Sequence, residues 1–556
     1  MPRCTQPAII PKSGQEPARQ KGRRLQMRRS GPFFTVFLTH SGAMGLRIRQ
    51  KLSSLGRIFA IDAFCRAGSW PDRLASMPAS LTLTTALRAL LLCAAGITHF
   101  ALAQSAGTAG LPPEVDAALA RAKLPREALS VLVVDAQGNA APRTSHRAQA
   151  LVNPASVMKL VTTYAALDQL GPAFTWNTPV TLDGRQQGDT FTGTVYIKGQ
   201  GDPTLVMERL WLLLRRLQGL GIQTIAGDIV LDRSAFAPTA HNPAEFDGEP
   251  TRPYNAAADA LLVNFKSVVM RFTPDPASGL ARVAFDPPMA RMQLQATVPL
   301  AAAGTACNDY RAGLKAELAN PDLIRFEGVY PAACGERVWP VAYADPAAYA
   351  ARAIEGMWRA SGGQLTGRVR DGQVPATLKP AFSASSPPLA EVVRDINKFS
   401  NNVMAQQVFL TLSLQNKGLG STEASRELLR QWWQTRISPG DAPVMDSGSG
   451  LSRESRLNAQ GLARMLQVAW ASPLMPELIA SLPITGVDGT LRRIQGGATG
   501  AAHLKSGSLR DVWGVAGYVH GASGKRYVLV AIANHPNAAA VRPAIEALVD
   551  WTARDR

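Results

Sequence analysis

Cysteine is scarce, with five in 556 residues, and Cys4, Cys65 and Cys93 all precede residue 104. Only Cys307 and Cys334 remain beyond that point. Nowhere do cysteines and histidines cluster at ligand spacing, which argues against a structural metal site. Internal repeats and low-complexity tracts are also missing from residue 104 onward, so solenoid and repeat architectures drop out. Acidic residues are outnumbered, 41 against 59 Lys and Arg, for a net charge of +18. The shortage is local. Residues 1–76 hold 14 Lys and Arg against Glu16, Asp62 and Asp72, which is +11 of the +18 and leaves +7 for the other 480 residues. The charge therefore gives no support to a nucleic-acid partner.

Long apolar runs are absent from that basic segment, where stretches such as Phe33–Leu38 are too short to span a bilayer. From Met77 the texture changes. Met77-Pro78-Ala79-Ser80 leads into an apolar run over Ala86–Leu102 with Arg88 near its start, and Ala101-Leu102-Ala103 precedes Gln104. This is the pattern of a secretory signal peptide with an Ala-x-Ala cleavage site. The expectation is a non-structural extension or miscalled start over 1–76, a signal peptide over 77–103, and an exported, periplasmic product. In an exported chain the even pair Cys307 and Cys334 implies one disulfide closing a 26-residue loop.

The remainder reads as α+β. A helix over Pro113–Ala122 precedes a strand over Leu129–Val134, whose expected hairpin partner is Ala150–Val152. From about Thr178 to Lys379 come short alternating strands, such as Thr190–Lys198 and Thr224–Leu231, with a helix near Leu205–Leu220. Helical patterns resume over Pro388–Trp433 and Asn458–Ala471. Strand patterns follow at Leu504–Ser506, Val512–Val519 and Arg526–Ala533, then a final amphipathic helix over Ala538–Trp551. Strands at both ends predict one sheet built jointly by residues 104–177 and 380–556, with 178–379 as inserted, mostly-β accessory structure.

The stretch from Asn153 to Gly171 reads as a helix with Asn153 as its cap, Pro154 in its first turn and Gly171 at its end. Ser156 then sits in the first turn, where free N–H groups favour negative charge, and Lys159 lies three residues on along the same face. A hydroxyl and an amine so placed form a nucleophile and its base if the lysine pKa is lowered. Two further short motifs follow, Ser400-Asn401-Asn402 at the start of a helical run and Lys505-Ser506-Gly507 on a strand.

In that order the three motifs resemble the set of the serine penicillin-recognising enzymes, Ser-x-x-Lys, Ser-x-Asn and Lys-Thr/Ser-Gly. The 244-residue gap between Ser156 and Ser400 is similar to that of the class C low-molecular-mass penicillin-binding proteins, the D-alanyl-D-alanine carboxypeptidase/endopeptidases. Gly201–Leu205, Asp446–Arg453 and Gly486–Leu491 look like phrases of that family too. Two residues depart from its pattern: Ser447 where Gly is usual and Ser506 where Thr is more common.

The resemblance implies a β-lactamase/transpeptidase-like domain, an antiparallel sheet flanked by helices, acting on peptidoglycan stem peptides and acylated by β-lactams. It implies Ser156 as nucleophile, Lys159 as base, Ser400 as proton relay and Asn402 as a hold on Lys159 and the substrate amide. Lys505 would supply positive charge and Ser506 would bind the terminal carboxylate. Gly507 would admit the substrate backbone, and the N–H groups of Ser156 and Ser508 would form the oxyanion hole. Arg453 is a candidate second carboxylate clamp. Asp247, Glu249 and Tyr254 are weaker candidates for contact with a peptide amino group. No cofactor is implied, and at most peripheral contact with a membrane. The rival readings are a β-lactamase or esterase, for which no dedicated deacylating base is visible, and a non-catalytic periplasmic scaffold.

Overall fold

Alternation of apolar residues along Leu129–Asp135 decides where the chain's central sheet lies. Leu129, Val131 and Val133 belong to one buried cluster, and Leu132 and Val134 to another, so the strand is covered on both faces. A computed structural model describes residues 110–555 apart from Asn139 and Gln495. The extension assigned to 1–76 and the signal peptide assigned to 77–103 lie outside the described residues.

The central sheet has five antiparallel strands in the order Ala502–Leu509, Val512–His520, Arg526–Asn534, Leu129–Asp135 and Thr144–His146. Leu129 pairs with Ala533 and Asp135 with Tyr527, so the two ends of the described chain share one sheet, as expected. The hairpin partner of the first strand is Thr144–His146, not Ala150–Val152. Arg147 turns the chain with φ 49°, and Val152 bridges Leu457 instead. One face of the sheet is covered by Pro113–Arg121 and Arg542–Ala553. The other packs on Lys159–Leu170, Leu389–Phe399, Asn402–Lys417 and Ala459–Trp470. The helical stretch from Pro388 is three helices, broken at Ser400 and again at Ser421, where the Ser421 hydroxyl caps Thr422–Arg436 by accepting from the Ala424 N–H.

Between these parts, Asn177–Gln187 and Phe382–Ser385 pair antiparallel, with Val180 opposite Phe382, so the chain leaves and returns side by side. The residues between have their own buried cluster, reaching from Val180 to Phe382. They form a seven-stranded sheet that includes these two strands, a four-stranded sheet around Ser267–Asp275 and a three-stranded sheet around Leu323–Phe326. The strand expected over Thr224–Leu231 is two strands, Thr224–Ala226 and Ile229–Asp232. Gly227 parts them at φ 154°, where a Cβ would stand 2.0 Å from the Gly193 carbonyl oxygen. Cys307 and Cys334 are joined by the expected disulfide.

Candidate active site

The turn that carries Ser156 is set by Asn153. Its Oδ1 accepts from the Ala155 N–H at 2.9 Å, its own N–H donates to Asn534 Oδ1 at 2.7 Å, and its Nδ2 donates to the Ser452 carbonyl at 2.8 Å. One residue thus ties the turn to the sheet through its main chain and to the 446–453 loop through its side chain. The turn is tighter than the sequence suggests: Ala155–Met158 is 3₁₀, with Ala155 at φ 47°, and the regular helix begins at Lys159. Ser156 projects from this strained turn, and Gly171 ends the helix at φ 81°.

Lys159 is fully buried. Its Nζ lies 2.9 Å from Ser156 Oγ, 2.7 Å from Asn402 Oδ1 and 2.6 Å from the Ser449 carbonyl oxygen. Burial first, and then the charge of Lys505, hold its pKa well below the usual lysine value. A neutral amine has two hydrogens and one lone pair. Asn402 Oδ1 and the Ser449 carbonyl only accept, so they take both hydrogens and leave the lone pair facing the Ser156 hydroxyl.

Lys505 is also fully buried, and burial lowers its pKa to about 7. Its Nζ reaches Ser400 Oγ at 2.9 Å and the Ser506 carbonyl at 2.6 Å. Ser400 ends the Leu389–Phe399 helix in the left-handed conformation, φ 58° and ψ 36°. Asn401 then caps the next helix by accepting from the Met404 N–H at 3.0 Å. That abrupt change of direction brings Ser400 and Asn402 to the same place.

A cleft of about 200 Å³ brings together Ser156, Ser400, Ser506, Gly507 and Ser508, five of the residues singled out above. Thr490, Leu491, Ile494, Trp513 and Arg542 complete its wall and were not singled out as site residues. Thr490 and Leu491 stood in the quoted phrase Gly486–Leu491, which was the available signal; nothing local pointed to the other three. The Ser449 carbonyl was missed as well, because a main-chain acceptor leaves no mark on residue type. Gly507 has a packing reason beyond substrate access. A Cβ there would stand 2.7 Å from the Pro154 carbonyl oxygen and 2.9 Å from the Val157 nitrogen, so only glycine lets the strand meet the Ser156 turn.

Arg453 and Tyr254 do not line this cleft. They line a larger hollow of about 480 Å³ that Asn402 also borders. The Arg453 guanidinium donates to Asp511 Oδ1 at 2.8 Å and lies over the Phe246 ring. Tyr254 donates to Asp247 Oδ2 at 2.8 Å, and Glu249 pairs with Arg252 at 3.2 Å, so these acidic groups are engaged within their own loop. Among the described residues no three His, Cys, Asp or Glu side chains gather as they would around a metal ion. No helix among them is long and apolar enough to cross a membrane.

An antiparallel sheet flanked by helices, with a helix-borne serine beside a buried amine, defines the class of active-serine penicillin-recognising hydrolases. The chain belongs to the D-Ala-D-Ala carboxypeptidase 3 (S13) family, whose sequence model matches residues 111–555, and is a serine-type carboxypeptidase of the class C low-molecular-mass group. It is 27% identical over 446 residues to a D-alanyl-D-alanine carboxypeptidase of an Actinomadura species, covering 76% of this chain and 81% of the relative. It is 24% identical over 391 residues to the D-alanyl-D-alanine carboxypeptidase DacB of Haemophilus influenzae, covering 68% of this chain and 80% of that one. The crystal structure of penicillin-binding protein 4 from the same organism superposes with a TM-score of 0.63 at 22% identity, over 79% of this chain and 98% of its own.

Proposed function

We propose that the protein cleaves the D-Ala-D-Ala bond of peptidoglycan stem peptides, and D-amino-acid cross-links of the same kind, through an acyl-enzyme on Ser156. The observation that carries this is the position of the buried Lys159 Nζ, 2.9 Å from Ser156 Oγ and 2.7 and 2.6 Å from two acceptor-only oxygens that would take its hydrogens in the neutral form. Ser156 Oγ attacks the carbonyl carbon of the penultimate D-Ala as its proton passes to Lys159. The C–N bond then breaks. Ser400, hydrogen-bonded by Lys505, gives its proton to the leaving amine, and Lys505 can replace it. Water later hydrolyses the ester and releases Ser156.

Ser506 and Lys505 are assigned the terminal carboxylate, and the N–H groups of Ser156 and Ser508 the developing oxyanion. Arg453 remains a candidate for the part of the substrate that lies in the larger hollow. We assign catalysis to a discontinuous domain of residues 104–177 and 380–556, and an accessory role to 178–379. The sequence from Met77 to Ala103 supports export to the periplasm. The Haemophilus protein has also been crystallised with a β-lactam, and we extend that ligand class to this chain as an acylating inhibitor.

The test is a fluorescent penicillin applied to the purified protein beside Ser156→Ala, followed by intact mass. A stable adduct on the wild type alone is expected. A folded wild type without an adduct would overturn the reading, and rapid turnover of a chromogenic cephalosporin would replace it with a β-lactamase.

A further inference from the structure

Ser506 lines the cleft and is assigned above to the substrate's terminal carboxylate, and a serine is a loose holder of a hydroxyl. Threonine's second substituent on Cβ leaves few χ1 choices, whereas serine can populate all three staggered wells. Something else must hold Ser506 if its hydroxyl is to meet a carboxylate reproducibly.

The structure shows a partner. Thr490 Oγ1 lies 2.7 Å from Ser506 Oγ, and both residues line the cleft with Ser156 and Ser400. Thr490 belongs to the short 3₁₀ turn Gly489–Leu491, and that turn is clamped. Asp488 accepts from the largely buried Lys398 at 2.6 Å and from the Ile484 N–H at 2.8 Å. At Gly489, φ 57°, a Cβ would stand 2.7 Å from the Lys398 carbonyl oxygen. The Pro483 carbonyl accepts from the Leu504 N–H at 2.9 Å, which lays this segment along the Lys505 strand. Lys398 in turn precedes Ser400 by two residues, so one brace fixes the Ser400 turn, Thr490 and the Lys505 strand together.

Resting on the function proposed above, we propose that Thr490 is a positioning residue of the carboxylate subsite. It donates its hydroxyl hydrogen to Ser506 Oγ, so that the Ser506 hydrogen points into the cleft towards the terminal carboxylate of the substrate. The Lys398–Asp488 pair holds Thr490 where it can do this.

The test compares Thr490→Val, Thr490→Ser and Thr490→Val/Ser506→Thr with wild type on two acylating agents. One is a penicillin, which carries a carboxylate, and the other an activated ester of N-acetyl-D-alanine, which does not. For Thr490→Val, acylation by penicillin falls about tenfold, the scale of a hydrogen bond to a charged group. On a D-Ala-D-Ala peptide the loss falls in KM, with kcat nearly unchanged. The ester reacts at the wild-type rate. Thr490→Ser keeps the penicillin rate, and Ser506→Thr restores most of it, because the added methyl fixes the hydroxyl. An equal loss on both agents, an unchanged penicillin rate, or no recovery in the double variant would each overturn the assignment. A wild type that penicillin does not acylate would instead overturn the function on which it rests.

Discussion

Four lysines are buried among the described residues, and they divide by region into two kinds. In the structure between the two halves of the sheet, Lys266 meets Asp259 at 2.9 Å, and Arg233 reaches the same carboxylate at 3.0 Å. Beside the cleft, Lys398 likewise meets Asp488. Behind the cleft's Ser156 and Ser400, the buried Lys159 and Lys505 meet hydroxyls, an amide oxygen and carbonyls, but no carboxylate among the described residues. A carboxylate would keep such an amine charged and inert as a base. Without one, burial disfavours the charged form and lowers the pKa of both amines, which fits them to act as a base or a proton donor. The partner, more than the burial, separates a structural lysine from a chemical one.

Replacing Lys159 with Met should give the largest effect that this division predicts. The lone pair facing Ser156 disappears while the packed volume is nearly kept, so penicillin acylation should drop about 10³–10⁴-fold in stopped-flow assays, with the melting temperature held or raised. An unchanged rate would show that some other group deprotonates Ser156. The mirror experiment is Asp259→Asn. Lys266 would then be buried without a counter-charge, at a cost of about 3–5 kcal/mol read in urea unfolding. The folded fraction should acylate normally, and a specific loss of acylation would break the distinction between the two kinds.

The sequence made part of this arrangement readable. Gly171 marked the end of the Lys159–Leu170 helix, and the strand patterns over Val512–Val519 and Arg526–Ala533 fell on the paired strands Val512–His520 and Arg526–Asn534, because caps and local alternation act over a few residues. Three short motifs named Ser156, Ser400, Ser506 and Gly507, which the cleft gathers from far apart in the chain. What could not be read depended on distant backbone. The Ser449 carbonyl on Lys159, the close approach at Gly507 and the switch of hairpin partner to Thr144–His146 are set by main-chain atoms, which are alike in every residue. Thr490 was in view within a quoted phrase, but its pairing with Ser506 spans a loop and a strand.

A smaller contrast between the regions concerns Cys307 and Cys334, joined at a sequence separation of 27. Converting both to Ser should lower stability by about 2–4 kcal/mol, since the unfolded chain regains the freedom of that loop. The cleft takes no residue from this loop. The rate of penicillin labelling should therefore stay at the wild-type value below the melting transition, and a slower rate would tie the loop to the active site.

The smallest effect is also the one in which activity and stability move apart. Lys505 has a pKa of about 7 in the folded protein against an ordinary 10.5. Its charge is present below pH 7 and disappears as the pH rises through that value. For an agent with a carboxylate, kcat/KM should fall towards tenfold per unit above pH 7, whereas an ester without one should lack that limb. Lys159 acts in the opposite sense, since raising the pH frees its lone pair, so a carboxylate-bearing substrate should show a bell. Folding responds differently again. Between about pH 7 and 10.5 the unfolded chain holds the Lys505 proton and the folded protein does not, so stability should rise with pH across that window. Denaturant melts at pH 7 and pH 9 on wild type and Lys505→Met separate the contributions. The wild type should gain stability between the two and the variant should gain less. Equal gains would mean that Lys505 keeps its proton in the fold, and the buried cation would then be structural after all.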